Sequence, residues 1–174
     1  MDLEYTQAEQ AFRAECRSWL EANIPRKSLG SHNTADGYKA HTAWEKTLFE
    51  AGWAVVSWPR QYGGREASLN EWLIFEEEYY RAGAPLRVNQ NGIFLLGPTI
   101  MEFGTEEQKA RFLPAIADGS LRLQAFGVSE PTSGTDTLSL RTVAVRDGDE
   151  YVINGQKLWT SRAEYSDLMM LLAR

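Results

Sequence analysis

Apolar residues recur with helical spacing from the N-terminus to about residue 122, and with the shorter period of strands beyond it. Thr6 and Glu9 form a capping-box pair ahead of Phe12, Cys16, Trp19 and Leu20, which predicts a helix that Pro25 ends. Lys27 to Gly37 is polar and glycine-containing and reads as a loop. A second helix carries Trp44, Thr47, Leu48 and Ala51, with Gly52 placed to cap it. The segment Trp53 to Gly64 holds too much Pro and Gly for a helix interior and reads as an ordered loop pinned by its aromatics. Ser68 and Glu71 cap a third helix bearing Leu69, Trp72, Leu73, Phe75 and Tyr79 and stopping at Gly83. A fourth apolar segment runs from Val88 to Phe103 and ends at Gly104. Thr105 and Gln108 open a fifth, in which Pro114 predicts a kink or an early end.

Beyond residue 122, Leu123 to Ser129 reads as a strand. Thr142 to Arg146 and Tyr151 to Asn154 alternate around Asp147-Gly148-Asp149, the signal of a hairpin. Asn154-Gly155 marks a further tight turn into Lys157-Leu-Trp-Thr, with Trp159 on a strand, and Asp167 to Ala173 reads as one more strand. Helices followed by strands give an α+β class rather than an alternating one. The expected architecture is an all-α helical bundle over residues 1–122, then the first strands of an antiparallel β-barrel over residues 123–174.

Composition narrows the function classes. Hydrophobic residues make up 43% and charged residues 24%, ordinary for a globular chain. A formal net charge of −6 provides no cationic excess to neutralise phosphates, so nucleic acid is not an expected partner. Cys16 is the single cysteine, which excludes an intrachain disulfide, and its place on an apolar stripe points to packing. With His32 and His41 the only histidines, no metal site is expected. No apolar run approaches membrane-spanning length. The start Met-Asp-Leu-Glu-Tyr is acidic and leads into a helix, unlike a signal or transit peptide, so the expected location is cytoplasmic.

Two segments carry candidate chemistry. In Phe126-Gly-Val-Ser-Glu-Pro-Thr-Ser-Gly-Thr-Asp136 a short apolar run opens into a loop of small and hydroxyl residues whose N–H and O–H groups can face an anion. In Asn154-Gly-Gln-Lys-Leu-Trp-Thr-Ser161 a Trp is flanked by hydroxyls. In order and spacing the pair resembles the flavin-binding signature of the acyl-CoA dehydrogenase family. The likeness extends over nearly the whole chain. Trp58-Pro-Arg-Gln-Tyr-Gly-Gly64 resembles the family's helix-connecting loop, and Gly97-Pro-Thr with Phe103 to Pro114 resembles the end of its N-terminal helical domain. Thr132-Ser133 stands where the family usually has a glycine and an alanine, Thr135 where it has a serine, and Phe126 where Tyr is also common. These departures keep small or hydroxylated chemistry.

The resemblance implies FAD as cofactor and an acyl-CoA thioester as substrate, with a glutamate removing the α-proton while the β-hydride passes to flavin N5. It places Phe126, Val128 and Ser129 along the flavin, with the Ser129 hydroxyl donating to the ring. Gly134 and Thr135 would sit by the pyrophosphate and the entrance of the acyl chain, Thr135 also meeting substrate. Trp159 would shield one side of the ring, with Thr160 beside it and Ser161 reaching toward N5. Taken singly, Trp159 is a core aromatic on a strand, Gly134 a turn residue and Ser129 a cap; their order and spacing together carry the resemblance.

No residue matches the family's base, which belongs to a C-terminal helical domain that the resemblance does not find here. Glu76-Glu77-Glu78 is expected to face solvent, and Glu130 to order its own loop. Arg87, Asn89 and Asn91 are assigned no role. The barrel is expected to be unclosed, exposing an edge and apolar surface, so the chain by itself is expected to be marginal, to aggregate, or to be completed by another chain. The family also implies dimers or tetramers and an electron-transfer flavoprotein as acceptor. Two alternatives stay open: a non-catalytic subunit or fragment that completes a partner chain, and a flavin-dependent oxygenase or nitroalkane oxidase on the same fold.

Overall fold

Capping sets the first helix as its spacing predicts. In the computed structural model, which describes residues 4–174, the Thr6 hydroxyl accepts the Glu9 N–H at 3.2 Å and the Glu9 carboxylate accepts the Thr6 N–H at 2.7 Å. Met1 to Leu3, on which the leader reading partly rests, lie outside the described residues. Helix α1 (Gln7–Asn23) buries Cys16 and Leu20. Helix α2 (Ala35–Glu50) starts earlier than expected, because the Thr34 hydroxyl accepts the Gly37 N–H at 3.2 Å and so caps a turn inside the polar stretch. The Ser68–Glu71 capping box opens α3 (Leu69–Arg81), which buries Ile74, Phe75, Glu78 and Tyr79 while Leu69 and Leu73 stay exposed.

The described chain divides into two compact units, one reaching to Val88 and including Ala110–Ser120, the other comprising Asn89–Lys109 and Leu121–Arg174. The first is organised by aromatics. Trp53 and Phe75 stack at 5.7 Å between ring centroids, and the Trp44 indole donates to the Tyr79 hydroxyl at 2.7 Å, which donates to the Pro85 carbonyl at 2.5 Å. Trp53 and Trp58 are both buried, so the Pro- and Gly-rich loop is pinned as expected.

The acidic run on α3 departs from expectation. Glu78 is 1% exposed, and its carboxylate accepts from Arg17 Nε and Nη2 at 2.9 Å each and from Arg81 Nη1 at 3.2 Å. Glu77 pairs with Arg13 at 2.7 Å, and Glu76 with buried Arg87 at 2.6 Å. A charge run faces solvent unless a neighbouring element brings cations, and α1 brings Arg13 and Arg17 to this face. Arg17, first among the causes, holds the Glu78 carboxyl below its ordinary range. Arg87, beneath which lie the Phe75 and Tyr79 rings, is likewise a packing residue.

In the second unit a π-helical turn (Gly92–Leu96) leads into α4 (Gly97–Phe103). Asn89 is buried and accepts the Leu123 N–H at 3.1 Å, while Asn91 donates to the Gln124 carbonyl at 2.7 Å. Helix α5 (Glu106–Ala117), whose residues from Ala110 onward belong to the first unit, continues through Pro114, so the early end does not occur. Proline removes one helical N–H, but Leu113, Ile116 and Ala117 bury the last turn, and Asp118 N–H closes on the Pro114 carbonyl at 3.0 Å. No helix among the described residues is long and apolar enough to cross a membrane.

Strands follow helices, as the pattern predicts. Strand β1 (Ala125–Gly127) and β4 (Met169–Leu171) are shorter than the apolar runs suggested, and they pair in parallel, Ala125 opposite Met169, not antiparallel. The chain passes through the hairpin between them and returns in the same direction. That hairpin, β2 (Val143–Asp147) and β3 (Glu150–Asn154), is antiparallel as expected, with Gly148 at φ 62° in its turn. Every residue of β3 is exposed, including Tyr151, Val152 and Ile153. The far edge of β2 is partly met by Arg174, which accepts the Ala144 N–H at 2.8 Å and donates to the Thr142 carbonyl at 2.9 Å.

Candidate functional site

The loop after β1 is built around one carboxylate. Glu130 Oε1 accepts from Lys157 Nζ at 2.8 Å and from the Thr142 N–H at 2.9 Å, and Oε2 accepts the Arg141 N–H at 2.6 Å. Lys157 Nζ also donates to the Val128 carbonyl at 3.0 Å, and the Leu158 N–H donates to the Ser129 carbonyl at 2.8 Å. Residues 128–130 and 157–158 are thus stitched side by side. The Glu130 and Ser133 backbones bond each other, at 2.7 and 3.2 Å, turning the chain through Pro131-Thr132. The Ser133 hydroxyl is buried against the Asp136 carbonyl and accepts from Ser139 at 2.9 Å.

Lys157, first among the causes, with the Arg141 and Thr142 N–H groups, holds the Glu130 carboxyl down at about 2. Glu130 therefore orders the loop and stays ionised. Its folded value lies below the unfolded one, so its stabilising contribution is complete above the ordinary carboxylate range and is lost as pH falls toward about 2. Stability measured by urea unfolding should fall between about pH 4.5 and 2, and less steeply in Glu130→Gln; equal slopes would contradict this.

The expected site residues fall into two groups. Phe126 points outward from β1 between buried Ala125 and Gly127. Val128 and Ser129 are half-buried beside the Lys157-Leu158 stitch, which brings Trp159 next along the chain. Gly134 and Thr135 lie at the exposed end of the loop, and a Cβ on Gly134 would meet nothing within 4 Å. No hydrogen bond among the described residues ties that end to residues 159–161.

Trp159 lies on no strand, unlike the reading of this segment as one, and outside the core. Its backbone is in the left-handed region at φ 58°, as is Arg162, which turns the chain out of the extended form and leaves the indole 87% exposed. Thr160 is half-buried and Ser161 exposed. The hydroxyls of Ser129, Thr135, Thr160 and Ser161 make no hydrogen bond among the described residues, whereas those of Ser133, Ser139 and Ser166 are engaged internally.

Sequence reasoning passed over Lys157, Gln124, Arg162 and Ser166. Ser166 Oγ accepts the Gln124 and Ala125 N–H groups at 3.0 and 2.7 Å, and Arg162 donates to the Gln124 amide oxygen at 2.9 Å, fixing the start of β1. The lysine stood in the quoted motif; an acid–base pair across its two halves was the available signal.

This chain matches the model of the acyl-CoA dehydrogenase N-terminal domain over residues 6–120 and that of the middle domain over residues 125–174. The chain belongs to the acyl-CoA dehydrogenase family. It is 43% identical over 171 residues to acyl-CoA dehydrogenase IpdE1 of Mycobacterium tuberculosis, covering 95% of this chain and 44% of that one. Among solved structures it resembles the ChsE4-ChsE5 complex from Mycobacterium tuberculosis, with a TM-score of 0.82 and 41% identity over 100% of this chain and 44% of that chain. The Tcur3481-Tcur3483 steroid ACAD aligns with a TM-score of 0.80 and 37% identity, over 100% of this chain and 45% of that one. The chain spans less than half the length of the curated relatives it matches.

Proposed function

We propose that this acyl-CoA dehydrogenase family chain is the flavin-holding N-terminal portion of an FAD-dependent enzyme that α,β-dehydrogenates an acyl-CoA thioester. The helical domain ends near residue 122, and the β-domain that follows carries the site. The observation that carries the reading is the set of hydroxyls at Ser129, Thr135, Thr160 and Ser161, uncommitted within the described protein and close in sequence to the Lys157-Leu158 stitch or the loop it holds.

These residues fit a flavin. The Ser129 hydroxyl would donate to the ring, with outward Phe126 and Val128 along it, and the indole of Trp159, exposed in the chain, would cover one side. Ser161 would reach toward N5 with Thr160 beside it. Gly134, with open space around it, lets the backbone approach the pyrophosphate, and the Thr135 hydroxyl marks the acyl entrance. FAD, when bound, supplies the acceptor for the β-hydride. Glu130 is not the α-proton base, since its carboxylate is buried and engaged by three donors; a glutamate outside the present sequence serves.

The likeness to a steroid ACAD supports a bulky polycyclic acyl group as substrate, and the two-chain complexes among the relatives support assembly with another chain of this family. Electrons pass to an electron-transfer flavoprotein, and the protein works in the cytoplasm. A second reading, a non-catalytic subunit that completes a partner, is favoured by the fully exposed β3.

Flavin content after gel filtration in excess FAD separates the two. Near one flavin per chain, reduced in Ser129→Ala and Trp159→Ala, supports the dehydrogenase reading. A folded chain without flavin sinks it in favour of the subunit.

A further inference from the structure

We propose that Lys157 is a positioning residue that holds the two halves of the flavin motif in register, an inference that rests on the flavin reading above. Its side chain is 7% exposed and that of its partner Glu130 3%, so the ammonium and the carboxylate have exchanged water for each other. Lys157 reaches two residues of the first half at once, the Val128 carbonyl and the Glu130 carboxylate, on either side of Ser129. Leu158 then bonds the Ser129 carbonyl itself.

Through Glu130 the same ammonium is connected to the Arg141 and Thr142 N–H groups. Gly155 closes the arrangement against Thr142, leaving no room for a Cβ. Three chain segments therefore meet at one buried ion pair. The Ser129 hydroxyl and the Trp159 indole project from positions adjacent to these bonds, and among the described residues neither has a hydrogen bond to fix it. Their separation is set by the stitch, and a site that must grip a flat ring needs that separation fixed beforehand.

Lys157 acts through Glu130 and the Val128 carbonyl rather than on the flavin itself. Lysine suits the task because its compact ammonium has three donors and a flexible stem, so it can serve a backbone carbonyl and a carboxylate together.

The test uses Lys157→Met, Lys157→Arg and the double variant Glu130→Gln/Lys157→Met, which buries no lone charge and serves if Lys157→Met does not fold. One readout needs no flavin: hydrogen exchange at the Arg141, Thr142 and Leu158 amides. The other is FAD affinity together with the visible circular dichroism of the bound flavin. In Lys157→Met and the double variant the three amides should exchange at least about tenfold faster, FAD affinity should fall by about the same factor, and the flavin spectrum should change. Helix α3 amides should be unaffected, and Lys157→Arg should restore much of both losses. Unchanged exchange overturns the stitch, and faster exchange with unchanged FAD affinity and spectrum overturns the positioning role. A wild-type chain with protected amides that never binds FAD overturns the flavin reading and this role with it; the protection distinguishes that result from failure of the stitch.

Discussion

Trp53→Ala lowers the stability of the helical unit by about 3–5 kcal/mol. The indole is 1% exposed and lies where several elements meet. Phe75 stacks on it, Phe12 meets it edge-on at 5.6 Å, and Trp19 lies at 6.1 Å. The Arg65 guanidinium sits 3.7 Å from its ring centroid and would lose that face, keeping Glu15 at 2.9 Å. Truncation leaves a cavity lined by rigid rings, which cannot close up as aliphatic chains do. Against a total of about 5–15 kcal/mol for a natural domain, the loss is large. Chemical unfolding followed by far-UV circular dichroism reads it. A change under about 1 kcal/mol would mean that the aromatic cluster is not what holds this unit together.

Gly155→Ala disrupts the β-unit at the site itself. A Cβ there would stand 2.3 Å from Thr142 Oγ1 and 2.7 Å from Thr142 Cα. The hydroxyl could rotate away, but the Cα cannot, because Thr142 is buried and its N–H is held by Glu130. Something in the backbone must shift, at about 1–3 kcal/mol, and the Lys157-Leu158 segment shifts with it. The expected results are a lower unfolding midpoint and faster exchange of the Leu158 amide. An unchanged midpoint would show that the turn has slack.

Local chemistry was legible in the sequence; long-range pairing was less so. Thr6 with Glu9 and Ser68 with Glu71 are capping boxes whose partners lie three residues apart, and both form. The hairpin at Gly148 is equally local. Glu78 misled because two of the three arginines that pair with it, Arg13 and Arg17, come from α1, 61 residues away along the chain for Arg17. The early end read from Pro114 does not occur, because tertiary burial of Leu113 and Ile116 outweighs one missing hydrogen bond. The parallel β1–β4 pair has no sequence signal, since periodicity gives a strand's faces and not its neighbour. At the site, the motif drew attention to residues 126–136 and 154–161. Its spacing could not show that Trp159 adopts a left-handed backbone, or that Lys157 and Glu130 join the halves.

Residues 126–135 and 158–161 are proposed to hold a flavin together. Hydrogen exchange of the chain with and without saturating FAD tests it most directly. Protection should be gained in those two segments, with the α1 and α3 amides unchanged. No protection anywhere, or protection confined to the helical unit, would contradict it.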